Sequence, residues 1–209
     1  MRCPIHPEGF FFSGALTLLA LVTSRCSRFL GTVFGVLAAF TIYFFRDPER
    51  EIPQGEGLIV SAADGTVVGI DDVPNAPFID GPAKRVSIFL SIFNVHINRS
   101  PIDGRVAYRH YNPGKFLPAN CDKASLDNEQ NAIGIDDGGY RVLVRQIAGI
   151  IARRILCWVN PGDQVARGER FGLIRFGSRT EILMPPGAVV VVKVGDKVKG
   201  GETVIARRS

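Results

Sequence analysis

The chain has 209 residues, 46% of them hydrophobic and 22% charged, with a formal net charge of +5. That balance excludes a disordered chain, and the length is enough for a core without disulfide staples. The 23 glycines and 13 prolines exceed the usual share of about 12% and favour turn-rich β structure over a helical bundle.

The first 50 residues differ from the rest. Between Gly9 and Phe45 the only charges are Arg25 and Arg28. Two uncharged runs result, 10–22 and 29–45. As a helix at about 1.5 Å per residue the second run spans roughly 26 Å, near the lower limit for crossing a bilayer. The first is too short to cross comfortably, so the pair is expected as a helical hairpin that dips into or spans the membrane. A secretory signal peptide fits less well, because no small-x-small site follows Val22 and a second apolar run begins at once. Arg2, Arg25, Arg28, Arg46 and Arg50 flank the runs and can reach lipid head groups. Arg46-Asp47-Pro48 marks a boundary, giving a membrane-associated unit, 1–50, and a second domain, 51–209.

From about Gly57 onward the pattern changes to short Val- and Ile-rich segments bounded by glycine. It predicts strands over 57–61, 66–70, 85–93, 105–110, 140–147, 171–176, 181–184, 188–193 and 203–206. Residues 112–139 show no clear period and read as a long loop. Two internal repeats follow. Ser61-Ala-Ala-Asp-Gly-Thr-Val67 matches Ser100-Pro-Ile-Asp-Gly-Arg-Val106, and each Asp-Gly reads as a tight hairpin. Gly162-Asp-Gln-Val-Ala-Arg-Gly-Glu169 matches Gly195-Asp-Lys-Val-Lys-Gly-Gly-Glu202. Similar hairpins join the halves of biotinyl and lipoyl carrier domains. The expected fold is therefore mainly β, a compact barrel-like sandwich with lipoyl/biotinyl-type hairpin repeats. Neither repeat carries the Met-Lys-Met or Asp-Lys-Ala tip of a carrier. Cys3, Cys26, Cys121 and Cys157 form no CxxC pair, so reduced thiols and no metal site are expected.

Three segments hold residue types able to activate a hydroxyl: Val60-Ser-Ala-Ala-Asp-Gly65, Phe93-Asn-Val-His-Ile-Asn-Arg-Ser-Pro101 and Phe176-Gly-Ser-Arg179. Each has a structural reading alone: Asp64 in a turn, His96 as a satisfied core histidine, Gly177-Ser178 as a turn. Together they could supply a nucleophile, a base and its orienting carboxylate. No Gly-x-Ser-x-Gly elbow is present, which excludes an α/β-hydrolase reading.

Taken in order, further segments point one way. They are Phe44-Phe-Arg-Asp-Pro-Glu-Arg50, Ala63-Asp-Gly65, Asn94-Val-His-Ile-Asn-Arg-Ser-Pro101, Pro113-Gly-Lys-Phe-Leu117 and Asp122-Lys-Ala-Ser125 with Asn128-Glu129. Ala152-Arg-Arg-Ile155, Arg167-Gly-Glu-Arg-Phe-Gly172 and Arg175-Phe-Gly-Ser178 complete the set. Across nearly its whole length the chain resembles the phosphatidylserine decarboxylase family, in its short prokaryotic branch.

The resemblance implies a pyruvoyl-dependent carboxy-lyase that makes phosphatidylethanolamine in phospholipid biosynthesis. It implies self-cleavage between Gly177 and Ser178 into chains 1–177 and 178–209, which remain together as a heterodimer. It maps the cleavage triad onto Ser178, His96 and Asp64. Ser178 Oγ would attack the Gly177 carbonyl, His96 would take its proton and Asp64 would orient the imidazole. Ester formation, elimination and hydrolysis would leave a covalent pyruvoyl group at 178, where the substrate amine forms a Schiff base. Longer bacterial members carry a second histidine three residues after the first, where this chain has Arg99. His96 then serves both cleavage and decarboxylation, or another group or water supplies one of the protons. The implied setting is the cell membrane, with the catalytic domain on the cytoplasmic side and a phospholipid as substrate. Two other readings are an enzyme acting on an archaeal-type ether serine lipid and a membrane-anchored β adaptor or carrier domain. Nucleic acid is not an expected partner, since no basic helix or aromatic platform accompanies the charge.

Overall fold

The computed structural model describes residues 3–114, 128–149, 154–175 and 178–209. Two compact units divide the chain, Met1–Glu49 and Arg50–Ser209.

The first unit is a helical hairpin of α1 (Pro7–Ser24) and α2 (Arg28–Phe44). Pro7 starts α1 where its missing N–H is harmless. The Ser27 hydroxyl caps α2 by accepting from Leu30 N. The far ends are joined by His6 N donating to Phe45 O at 2.9 Å and Asp47 N to Pro4 O at 2.6 Å. Gly9 permits a close approach within the hairpin, because a Cβ there would lie 2.7 Å from that of Phe45. Phe10, Phe11, Leu18, Leu21, Phe29 and Val36 are exposed. The first apolar run is longer than expected as a helix. Pro7 to Gly9 and Thr23-Ser24 extend it to 18 residues, about 27 Å, long and apolar enough to cross a membrane.

The second unit is mainly β, as expected. Its strands are β1 (Leu58–Val60), β2 (Gly65–Ala76), β3 (Gly81–Leu90), β4 (Ile97–Arg99), β5 (Gly104–Asn112), β6 (Gln130–Asp137) and β7 (Tyr140–Ala148). They continue with β8 (Ile155–Cys157), β9 (Gln164–Val165), β10 (Arg170–Ile174), β11 (Ser178–Met184), β12 (Val189–Val190), β13 (Lys197–Val198) and β14 (Val204–Arg207). Among the described residues, eight strands form one curled, half-barrel sheet in the order β13-β2-β3-β11-β7-β6-β5-β9. Two three-stranded sheets, β1-β14-β12 and β4-β10-β8, complete the unit. Val67, Val86, Ile88, Ile133, Ile135, Val144 and Ile182 face the main core. On the other face Ala83, Ala132, Leu143 and Leu183 pack with Phe78. Every residue of β11 is consequently buried, as in a strand covered on both faces.

The repeats are one construction used twice. Val106 N donates to Asp163 O and Gly162 N to Val106 O; Val67 N donates to Asp196 O and Gly195 N to Val67 O. Gly168 N bonds Ser100 O as Gly201 N bonds Ser61 O, each at 2.8 Å. The copies interlock with pseudo-twofold symmetry, which exchanges the bond from Val60 N to Pro101 O with that from Arg99 N to Ala62 O. Neither Asp-Gly closes a hairpin, against the sequence expectation. Gly65 and Gly104 open the long strands β2 and β5. Glycine is needed at 65 because a Cβ there would strike the Phe89 carbonyl oxygen.

The region 112–139 also differs from its expectation as a loop. Residues 130–137 form β6, buried at Asn131 through Ile135. Asn131, Gly134 and the paired acids at its end hide the two-residue alternation. Residues 115–127 of that expected loop lie outside the described residues.

Candidate active site

Register brings the candidate segments to one end of three adjacent strands. Thr66 on β2 pairs with Phe89 on β3, and Phe89 pairs with Arg179 on β11. Asp64 therefore precedes β2 at the end where β3 finishes and β11 begins. Ser178, the first residue of β11, pairs with Leu90 on one side and Ala148 on the other. A turn over 91–94 follows Leu90 and delivers His96 to the start of β4.

Ser178 is fully buried, and its Oγ has no hydrogen-bond partner among the described residues. A buried hydroxyl left this way costs about 1–3 kcal/mol, so it is a candidate for use rather than for stability. Gly177 lies outside the described residues, as do Phe176 and the segment 122–125.

His96 is fully buried too. Its carbonyl accepts from Ile174 N at 3.3 Å, where β10 ends four residues before Ser178. The Nδ1 atom lies 2.9 Å from the Asn94 carbonyl oxygen. A carbonyl can only accept, so Nδ1 carries the proton and Nε2 is the basic nitrogen of the neutral ring. The Asn94 side chain accepts from Ser91 N and Ser91 Oγ at 2.9 and 2.8 Å, which fixes the turn that aims that carbonyl. The orienting part played by Ser91 and Asn94 escapes sequence reasoning because it is a backbone contact; the asparagine inside the motif is its only signal.

Asp64 accepts from Gly200 N at 2.8 Å through Oδ1 and from Arg50 at 2.8 Å through Oδ2. Arg50, only 7% exposed at its side chain, also reaches Glu202 at 3.5 Å. Burial raises the Glu202 carboxyl, but the Lys199 hydrogen bond and the charges of Arg50 and Lys199 outweigh it and hold its pKa below the ordinary value. The amide bond to Asp64 has a symmetric twin, since Asp103 Oδ1 accepts from Arg167 N at 2.9 Å. Asp64 thus holds a hairpin in place, like its exposed counterpart, and is also paired with a guanidinium. Arg99 is buried and donates to Gly168 O at 2.9 Å.

Beyond Ala148 lies buried Glu129, whose carbonyl accepts from Ala148 N at 3.0 Å. Its carboxylate accepts from the Tyr111 hydroxyl at 2.9 Å. Burial, then that hydrogen bond and charge, push the Tyr111 phenol up, against a smaller opposing effect of Arg154.

The geometry collects a buried hydroxyl, an imidazole with its basic Nε2 defined, and a carboxylate at one end of the sheet. Known proteins are similar to this chain in sequence. Residues 37–206 match the family model described as phosphatidylserine decarboxylase. A phosphatidylserine decarboxylase proenzyme from Symbiobacterium thermophilum is 52% identical over 209 residues, covering 99% of this chain and 97% of that one. The proenzyme of the same name from Nitrosomonas europaea is 45% identical, covering 99% of both chains. That from Carboxydothermus hydrogenoformans is 46% identical over 97% of this chain and 96% of its own.

Proposed function

Because this chain belongs to the phosphatidylserine decarboxylase family and converts phosphatidylserine to phosphatidylethanolamine after processing of a proenzyme, we propose that it makes a pyruvoyl group from its own Ser178. The observation that carries this reading is the buried Ser178 Oγ, without a hydrogen-bond partner among the described residues, at the start of a central strand. His96 Nε2 removes the hydroxyl proton as Oγ attacks the Gly177 carbonyl. The acyl group moves from nitrogen to oxygen and forms an ester. Loss of the Ser178 α-proton then expels the carboxylate of Gly177, freeing residues 1–177 and leaving a dehydroalanine. Water converts that residue to a ketone and releases ammonia. A pyruvoyl group has about the volume of the seryl residue it replaces, so it fits between Leu90 and Ala148. The chemistry it supplies is withdrawal of the electron pair left as carbon dioxide departs. His96 returns a proton to the former α-carbon, and Asp64 keeps the hairpin around Gly200 against the site.

The sheet explains how two chains would stay one enzyme. Residues 178–209 contribute β11 between β3 and β7, β12 and β14 to the β1 sheet, and β13 beside β2. Among the described residues the cut falls ahead of the first pair of β11, and the pairs from Arg179 onward with β3 and β7 stay in register. For location we propose the cell membrane, supported by the apolar exposed surface of α1 and α2, with the catalytic unit on the cytoplasmic side as the family resemblance implies.

Intact-mass measurement of the purified full chain tests the reading. Two polypeptides are expected, divided between 177 and 178, the smaller carrying a mass consistent with a pyruvoyl cap. Ser178→Ala is expected to stay one inactive chain. An active single chain in either sample overturns it.

A further inference from the structure

A line of buried amides crosses the core behind the candidate residues. Asn131 on β6, Gln146 on β7 and Thr180 on β11 pair laterally in register, Asn131 with Gln146 and Gln146 with Thr180. Asn98 of β4 reaches this row from the neighbouring sheet. Asn98, Gln146 and Thr180 are fully buried and Asn131 is 1% exposed.

The hydrogen bonds have a direction. Asn131 Nδ2 donates to Gln146 Oε1 at 2.8 Å, which turns the Gln146 amide so that Nε2 donates to Asn98 Oδ1, also at 2.8 Å. That in turn points Asn98 Nδ2 at two acceptors, Ala62 O at 3.4 Å and Thr180 Oγ1 at 3.3 Å. Each amide has one donor end and one acceptor end, so fixing the first fixes the rest. Gly172, the register partner of Asn98 on β10, leaves the gap through which Gln146 passes. A Cβ at Gly172 would lie 2.9 Å from Gln146 Nε2.

The end of this line touches all three candidate segments. Asn98 stands two residues after His96, and Ala62 two before Asp64. Thr180 stands two after Ser178, on the same face of its strand. We propose that Asn98, oriented by Gln146, is a positioning residue for self-cleavage, setting the spacing of the Asp64, His96 and Ser178 segments through one amide. This rests on the self-cleavage reading above. A displacement on the order of 1 Å of reacting groups slows a reaction by up to about a hundredfold, so a linkage of this kind bears on rate without deciding the fold.

Gln146→Glu tests it in the full-length chain. An ionised carboxylate still accepts from Asn131 but has no proton for Asn98 Oδ1. Asn98 must then flip and turn its oxygen toward Ala62 O. Protonation restores the donor, and burial lifts a carboxyl pKa into a workable range. Full-length proenzyme is made by cell-free translation, and its cleavage is followed on denaturing gels from about pH 8 to about pH 5.5. The folded fraction is checked by circular dichroism. His96, Asp64 and Glu129 each lie two residues from a residue this line touches, so the pH dependence of the parent is measured alongside. Each variant rate is therefore divided by the parent rate at the same pH.

The expected ratio is about a tenth or less at the alkaline end, rising toward one as pH falls, with the folded fraction unchanged. Asn98→Asp is expected to behave alike. Thr180→Val, which no proton can repair, is expected to be slow at every pH. A parental rate near pH 8, a ratio flat with pH, or a deficit that follows the folded fraction overturns the proposal. A rising ratio in Thr180→Val also overturns it. A parent chain that never cuts itself overturns the self-cleavage reading and this proposal with it, and that result is distinct because it appears without any substitution.

Discussion

Asp64 and Asp103 do the same work on opposite sides of the pseudo-twofold axis, each accepting an amide from the hairpin of the other repeat. What separates them is Arg50, which pairs with Asp64 at 2.8 Å as well as reaching Glu202. Replacing each by asparagine keeps an oxygen for the amide and removes the charge. If the Asp64 charge serves cleavage, Asp64→Asn slows maturation by about a hundredfold or more, while Asp103→Asn matures like the parent. Pulse-labelled chains resolved on denaturing gels decide it, and equal behaviour would reduce Asp64 to a hairpin lock. Asp64, His96 and Ser178 stood out in the sequence as candidates through the ordered motifs around them, since each taken alone has a structural reading. The sequence hid Asn98, Gln146 and Asn94. Amides carry no catalytic signature, and a carbonyl that aims an imidazole belongs to the backbone, which every residue shares.

Strand β11 carries the other unusual residue, Glu181, which is fully buried three positions after Ser178. Arg145 and Arg179 reach its carboxylate at 3.1 Å and Arg85 at 3.7 Å. Arg145 and Arg85 belong to β7 and β3, the two strands that flank β11. The cluster therefore clamps the small chain to both neighbours. Glu181→Ala leaves three guanidinium groups without their shared partner, and removing one member of a buried ion pair costs about 3–5 kcal/mol. Thermal unfolding of the matured enzyme is expected to shift to clearly lower temperature, and the two chains to separate at lower denaturant. A midpoint within error of the parent would mean that Asp71, already 2.8 Å from Arg85, compensates for the loss. At this scale the long strands were legible from Val- and Ile-rich runs. The short β4, β8, β9 and β13 were not, since two or three residues give no period. β6 was missed because buried Asn131 and Gly134 read as loop residues.

The two units make different demands on the lipid. Every group named in the chemistry lies in Arg50–Ser209, whereas the helices of Met1–Glu49 offer apolar surface and no acid or base beyond their ends. The boundary matters to a few residues. Arg50 bonds Asp64, and a Cβ at Gly168 would collide with Ile52, so residues 50–52 belong with the chemistry. A chain beginning at Arg50 should therefore cut itself before Ser178 at the parental rate. One beginning at Pro53 should mature more slowly, having lost the Asp64 partner. On a short-chain, water-soluble phosphatidylserine, matured enzyme from the Arg50 chain should work nearly as well as the full-length form. On bilayer vesicles its turnover should fall by about tenfold to a hundredfold, because tethering to the surface supplies the effective concentration that free diffusion does not. The quantity to measure is the ratio of full-length to truncated activity on each substrate. A large ratio on vesicles with a ratio near one on the soluble lipid assigns the helices to anchoring. Equal loss on both would mean that residues 1–49 shape the active site itself, and the anchoring role would fall.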